Sequence, residues 1–153
     1  MAETANQFGQ FNLKPEIIVA LTKIGFTQPT PVQAKLIPSI LQGNDVVGQS
    51  QTGSGKTHTF LIPILNQLSQ NEQYVQAVIT TPSRELAAQI TKAAKDFAES
   101  WQQNVTISEF VGGTDKMRQI KQLENGQPQL VIGTPGRIKH LVSTGALKLH
   151  AVH

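Results

Sequence analysis

The chain has 153 residues, 39% of them apolar, and a formal net charge of +3, which describes one soluble domain long enough to bury a core and basic enough to accept an anionic partner without demanding one. With no cysteine there is no disulfide framework or thiolate metal site, and six Phe, one Trp and one Tyr leave little for a large base-stacking surface, so nucleic-acid contact should run mainly through phosphates. No apolar run reaches the length of a membrane span and the polar leader from Met1 to Gln7 lacks the regions of a signal peptide, so a cytoplasmic chain with no membrane contact is expected.

Past the leader and the aromatics Phe8 and Phe11, Pro15 sits at a first helical position. Ile17, Ile18, Leu21 and Ile24 then recur at helical spacing until Gly25. Phe26 to Gln33 is a turn-rich string that opens a second helix carrying Leu36, Ile37, Ile40 and Leu41 and ending at Gly43. Pro38 inside it predicts a kink or a break. Thr30, Pro31 and Gln33 have the spacing of a capping box; for Gln33 this structural role and a ligand-binding role stand side by side.

Asp45 to Gly48 can be a strand, and Thr57 to Leu65 is a helix-compatible apolar run. Between them lies Ser50-Gln51-Thr52-Gly53-Ser54-Gly55-Lys56-Thr57. A phosphate chain needs backbone N–H groups converging at a helix N-terminus, and Gly53 and Gly55 remove the side chains that would block its approach. Lys56 adds a point charge for the outer phosphates, and the Thr57 hydroxyl is a suitable Mg²⁺ ligand. The stretch reads as a nucleoside triphosphate cradle in which the small residue Ser50 replaces the usual first glycine.

After the polar connection from Leu68 to Gln73, Ala77 to Thr80 predicts a buried strand, and a helix starts at Thr81-Pro82-Ser83-Arg84-Glu85 with Leu86, Ala87, Ile90, Ala94 and Phe97 on one side. Val105 to Val111 alternates as a strand and stops at Gly112-Gly113, after which Thr114 is expected to cap a helix through Met117, Ile120 and Leu123 to Gly126. Leu130 to Ile132 is a fourth strand, and Thr134-Pro135-Gly136-Arg137 opens a last helix through Ile138, Leu141 and Val142. Four strands alternating with helices imply an α/β fold with a mainly parallel sheet and helices on both faces. The sheet looks incomplete at the C-terminus, where Leu147 to His153 is an alternating run. No acidic residue ends an apolar strand, although a phosphate-loop NTPase needs one near Mg²⁺.

Several strings together resemble the DEAD-box ATP-dependent RNA helicases. Phe8, Gly25-Phe26 and Pro29 to Gln33 are similar to the family's adenine-recognising Q motif, over residues of about 6–34. Ser50 to Thr57 is similar to its motif I, Pro82 to Gln89 to its motif Ia, Gly112-Gly113 to its glycine doublet, and Thr134 to Arg137 to its motif Ib. The resemblance implies a RecA-like P-loop NTPase fold, with residues 1–153 the N-terminal portion of a first RecA-like domain. The naming Asp-Glu-Ala-Asp tetrapeptide and the second RecA-like domain are absent, so a fragment is expected.

Carried over residue by residue, the resemblance implies ATP and Mg²⁺ as cofactors. Phe8 would stack on adenine and Gln33 hydrogen-bond its edge. Ser50, Gln51, Thr52, Gly53, Ser54, Gly55, Lys56 and Thr57 would hold phosphates, with Lys56 and Thr57 the catalytic groups and Thr57 the metal ligand. Pro82, Arg84, Gly112, Gly113, Thr134, Pro135, Gly136 and Arg137 would lie along the backbone of a single RNA strand. Thr114 and Thr134 also fit as ordinary helix caps.

A small-molecule kinase would carry clustered lid arginines, whereas Arg84, Arg118 and Arg137 are dispersed, and a GTPase would carry an Asn-Lys-x-Asp string, which does not occur. The remaining alternative to an RNA helicase that couples ATP hydrolysis to duplex unwinding or RNP remodelling is a non-catalytic ATP- and nucleic-acid-binding fragment. The missing acid favours that alternative.

Overall fold

The computed structural model describes residues 5–49, 56–69, 71–101 and 104–152. The chain divides into two compact units, Met1–Gln67 with Phe97–Gln102, and Leu68–Asp96 with Gln103–His153.

The first unit is helical. A 3-10 turn (Gln7–Phe11) precedes α1 (Pro15–Lys23), α2 (Pro31–Leu41) and α3 (Lys56–Gln67). Phe8, Ile17, Leu21, Ile37, Leu61, Ile62 and Leu65 are fully buried. Pro15 and Pro31 occupy first-turn positions, where the missing N–H would have had no helical partner. After α1 the chain reverses at Gly25, whose φ of 88° is the left-handed conformation that glycine adopts without Cβ strain. Pro38 does not break α2, which continues to Leu41. The run Asp45 to Gly48 is not a strand, and Val47 is 96% exposed. Strand propensity becomes a strand only where a neighbour pairs the backbone, and no strand among the described residues pairs it.

The second unit is α/β. Its strands β1 (Ala77–Thr80), β2 (Ile107–Phe110) and β3 (Leu130–Gly133) are parallel in the order β1-β3-β2. Three strands, rather than the expected four, are therefore present among the described residues. The central strand β3 is buried throughout, as its continuous Leu-Val-Ile run requires in a parallel sheet covered on both sides. Phe110 and Val131 form a core with Leu123 of α5 (Lys116–Glu124), Ile138 and Leu141 of α6 (Pro135–Ser143), and Leu147. The segment after α6 adds no strand. It turns back so that the Leu147 N–H donates to the Leu141 carbonyl at 3.0 Å, with Leu149 and Val152 packed on the same core.

The long helix α4 (Arg84–Trp101) buries Ala87, Ile90, Ala94 and Phe97 as expected, while Leu86 lies on its exposed side. Gly133 ends β3 for a steric reason. A Cβ there would collide with the Phe110 carbonyl, so the strand end that might have carried an acidic residue has room for no side chain.

Candidate functional site

In the second unit, three strand-to-helix junctions meet at the carboxyl edge of the sheet. β1 leads through Thr81, Pro82 and Ser83 to α4, β2 through Val111 to Asp115 to α5, and β3 through Thr134 to α6. The junctions are tied together. Thr81 N–H donates to Gly133 O at 2.9 Å, Thr134 N–H to Phe110 O at 3.1 Å, and Gly112 N–H to Thr134 Oγ1 at 3.3 Å. Pro82, Arg84, Gly112, Gly113, Thr134, Pro135, Gly136 and Arg137, separated by up to 55 positions in the chain, thus share one edge of one sheet. Brought together in this way, they offer a row of backbone groups, one hydroxyl and two guanidinium groups, which suits an extended phosphate backbone.

The three helix N-termini differ in what fills them. At α4, Ser83 Oγ accepts from Leu86 N–H at 3.2 Å. At α5 the cap is Asp115 rather than Thr114: its Oδ1 accepts from Met117 N–H at 3.0 Å and Arg118 N–H at 3.3 Å. A carboxylate satisfies two orphan donors and places negative charge on the positive end of the helix dipole, so α5 is closed to a phosphate. The Thr114 hydroxyl turns away and donates to Val111 O at 2.6 Å. At α6, Thr134 is the N-cap but makes no side-chain cap bond, since its Oγ1 receives Gly112 N–H instead. Of the three, α6 alone has no side-chain cap bond on its first-turn N–H groups, which begin at Gly136 because Pro135 has none.

Both arginines lie over this edge. Arg84 Nη1 donates to Gly112 O at 3.5 Å. Arg137 Nη1 donates to Gln119 Oε1 at 2.8 Å and to Thr114 O at 3.2 Å. Gln119 carries no motif signal. Its sequence clue is a polar residue four positions before the buried Leu123 on α5, on the face that would otherwise be apolar, and it is itself buried.

The first unit holds the residues assigned to nucleotide. Thr30 and Gln33 form the capping box: Gln33 N–H donates to Thr30 Oγ1 at 3.3 Å and Thr30 N–H to Gln33 Oε1 at 2.9 Å. Gln33 is fully buried. The preceding loop is held from the leader by Asn6, whose Nδ2 donates to Phe26 O at 2.8 Å, and by Gln7 N–H donating to Thr27 O at 2.8 Å. The Phe26 ring lies 4.5 Å, centroid to centroid, from the imidazole of His58, and burial holds that imidazole's pKa below its ordinary value. Two readings of Gln33 were open, and its capping role is realised.

Phe8 corrects an expectation. It is fully buried, with its ring 6.0 Å from Phe11 in an edge-on arrangement at 71°. A stacking platform needs an open face, and this ring has none. Truncation of such a buried Phe to Ala costs about 3–5 kcal/mol, so Phe8 supports the packing beneath the Q-like loop.

Lys56 and Thr57 stand in the first turn of α3, Lys56 exposed and Thr57 half-buried. Ser50, Gln51, Thr52, Gly53, Ser54 and Gly55 lie outside the described residues. A cavity of about 250 Å³ near Lys56 is walled mainly by Val32, Leu36, Ile40, Val46 and Phe60. Lys56 itself, Thr59 and Gly48 complete its described lining. Among the described residues no group of three or more His, Cys, Asp or Glu could hold a metal ion. No helix among the described residues is long and apolar enough to cross a membrane.

The DEAD/DEAH box helicase family model matches residues 30–152. The chain belongs to that family. It is 48% identical, over 95% of its length, to the DEAD-box ATP-dependent RNA helicase CshB of Listeria monocytogenes, and 46% identical, over 98%, to CshB of Bacillus subtilis. It spans about a third of the length of these curated relatives, 33% and 34% respectively. Its fold matches that of a DEAD box protein from Methanococcus jannaschii with a TM-score of 0.86 and 37% identity, covering 99% of this chain and 40% of that one. It also matches S. cerevisiae Dbp5 bound to RNA and ADP BeF3, with a TM-score of 0.84 and 26% identity over 97% of this chain and 37% of that one. The α/β fold with its parallel sheet is thus the RecA-like fold of this family.

Proposed function

We propose that residues 1–153 are the N-terminal portion of the first RecA-like domain of an ATP-dependent RNA helicase, with a Q-motif region over about 6–34 and a second RecA-like domain in the whole protein. In this reading the whole protein couples ATP hydrolysis to RNA duplex unwinding or RNP remodelling in the cytoplasm. The observation that carries it is the convergence of Arg84, Gly112-Gly113 and Thr134 to Arg137 on one sheet edge, in a chain whose relatives are named ATP-dependent RNA helicases.

Within the site, Ser50 to Gly55 cradle the phosphates, Lys56 neutralises their charge and Thr57 contributes to Mg²⁺, which when bound supplies electrostatic stabilisation of the transferred phosphoryl group. Gln33 contacts the adenine edge, where a side-chain amide matches one donor and one acceptor. A single RNA strand runs along Pro82, Arg84, Gly112, Gly113 and the open N-terminus of α6 at Thr134, Pro135, Gly136 and Arg137.

A second reading, a binding fragment without turnover, is favoured by the strand ends. Thr81, Val111 and Thr134 follow β1, β2 and β3, and none is a carboxylate. Titration of the chain with labelled ATP, GTP and single-stranded RNA tests both readings. ATP preferred over GTP, loss of nucleotide binding in Lys56→Ala and salt-sensitive, sequence-indifferent RNA binding are expected. Equal affinity for ATP and GTP, or RNA binding indifferent to salt, would overturn the proposal.

A further inference from the structure

We propose that Gln119 is the positioning residue for Arg137, fixing the guanidinium at the sheet edge through a relay that begins at the Thr114 hydroxyl. The inference rests on the reading of Arg137 as a phosphate contact, and it adds a residue that no motif contains.

The relay has a defined direction. Thr114 Oγ1 spends its only proton on Val111 O at 2.6 Å, so its oxygen is left as an acceptor. Gln119 Nε2 donates to that oxygen at 2.7 Å. The amide is thereby oriented with Oε1 toward Arg137, whose Nη1 donates to it at 2.8 Å. The flipped amide would set Nε2 against Nη1, donor against donor, and would offer Oε1 to a hydroxyl that has no proton left. Because Gln119 is buried, both of its polar ends must be satisfied within the protein.

Arg137 is then held by three acceptors, Gln119 Oε1 on α5 and, in the junction before it, Thr114 O and, at 3.4 Å, Thr114 Oγ1. All of these bonds use Nη1, which leaves the other edge of the guanidinium fork for an anion. An exposed arginine gives up much side-chain freedom when it grips a phosphate, and holding it in advance removes part of that cost. A neutral acceptor suits the task. A carboxylate in place of the amide would hold Arg137 equally well and cancel the charge that a phosphate needs.

The test measures binding of a labelled single-stranded RNA to the full 153-residue chain across a series of salt concentrations, for the parent, Arg137→Ala, Gln119→Ala, Gln119→Glu and the Arg137→Ala/Gln119→Ala double variant, with thermal melting of each. Arg137→Ala should weaken binding on the order of tenfold, the size of one charge-assisted contact, and flatten the salt dependence by about 0.7 in log–log slope. Gln119→Ala should reproduce most of the affinity loss and add nothing in the Arg137→Ala background. Gln119→Glu, nearly the same shape, should flatten the slope and melt below the parent, because a carboxylate oxygen then faces the Thr114 hydroxyl whose proton is already given to Val111 O. If Arg137→Ala loses affinity and both Gln119 variants bind as the parent does, the positioning role is overturned and the RNA reading stands.

If Arg137→Ala binds as the parent does, the RNA reading of Arg137 falls, and NMR without RNA decides the rest. Slowly rotating, shifted Arg137 guanidinium protons that average in Gln119→Ala would uphold the positioning role. Arg137 signals identical in the two would overturn it.

Discussion

The Arg84 guanidinium lies where a side chain of Gly113 would stand. Gly113 has a φ of 81°, and a Cβ built on it would collide with Arg84 Nη1 and come within 3.4 Å of Arg84 Cζ. Glycine is favoured here by the left-handed backbone, and a Cβ would in addition push aside the flexible end of the arginine beside it. The first reason is local and the second is tertiary.

The two reasons separate by mutation. Gly113→Ala should lose about 1–2 kcal/mol from the left-handed conformation alone and should also displace Arg84. In an Arg84→Ala background the backbone cost should persist while the collision disappears. Denaturant unfolding of the four proteins measures both parts, and Gly113→Ala as stable as the parent would contradict the assignment.

Gln33 serves a helix and, in the proposed reading, a base. Thr30→Ala and Gln33→Ala should each destabilise the chain by about 1 kcal/mol through loss of the capping box. Only Gln33→Ala should erase the preference for ATP over GTP. Should Thr30→Ala erase it equally, the effect would belong to the helix end and not to the Gln33 amide.

His58 gives the stability a pH dependence of known sign. Burial lowers its pKa in the folded protein below the ordinary 6.5, so the unfolded chain takes up the proton more readily. The contribution is complete above about pH 6.5 and is lost as pH falls through the lowered folded value. Carboxylates add their own acid dependence, so the informative quantity is the difference between the parent and His58→Gln. That difference should change between about pH 7.5 and pH 5, with the parent losing more. Parallel curves would show that the imidazole beside Phe26 is not titrating against the fold.

ATP turnover by residues 1–153 should be very slow even with RNA present. The strand ends are followed by Thr81, Val111 and Thr134, and Asp115 is committed to capping α5. Loss of transition-state charge and of water positioning is worth on the order of 10³-fold or more. Phosphate release measured with and without RNA checks it; robust RNA-stimulated turnover would mean that some other group does this work.

The helices were legible in the residues because their signals are local. Pro31, Thr30 and Gln33 state the start of α2 within four positions, and the left-handed glycine after α1 states where it stops. The family was legible in its motif strings for a related reason, since such motifs place particular residue types at short spacing. Asp45 to Gly48 has a strand's composition without a strand's hydrogen bonds, because pairing depends on a neighbour that may be far away in the chain. The choice of Asp115 over Thr114 as the α5 cap turned on one residue's difference in where the helix begins. Burial of Phe8 and the hand-off from Thr114 through Gln119 to Arg137 were decided only by tertiary structure. Composition and spacing determine which groups a chain possesses; which of them face each other, and which are covered, depends on packing between segments distant in sequence.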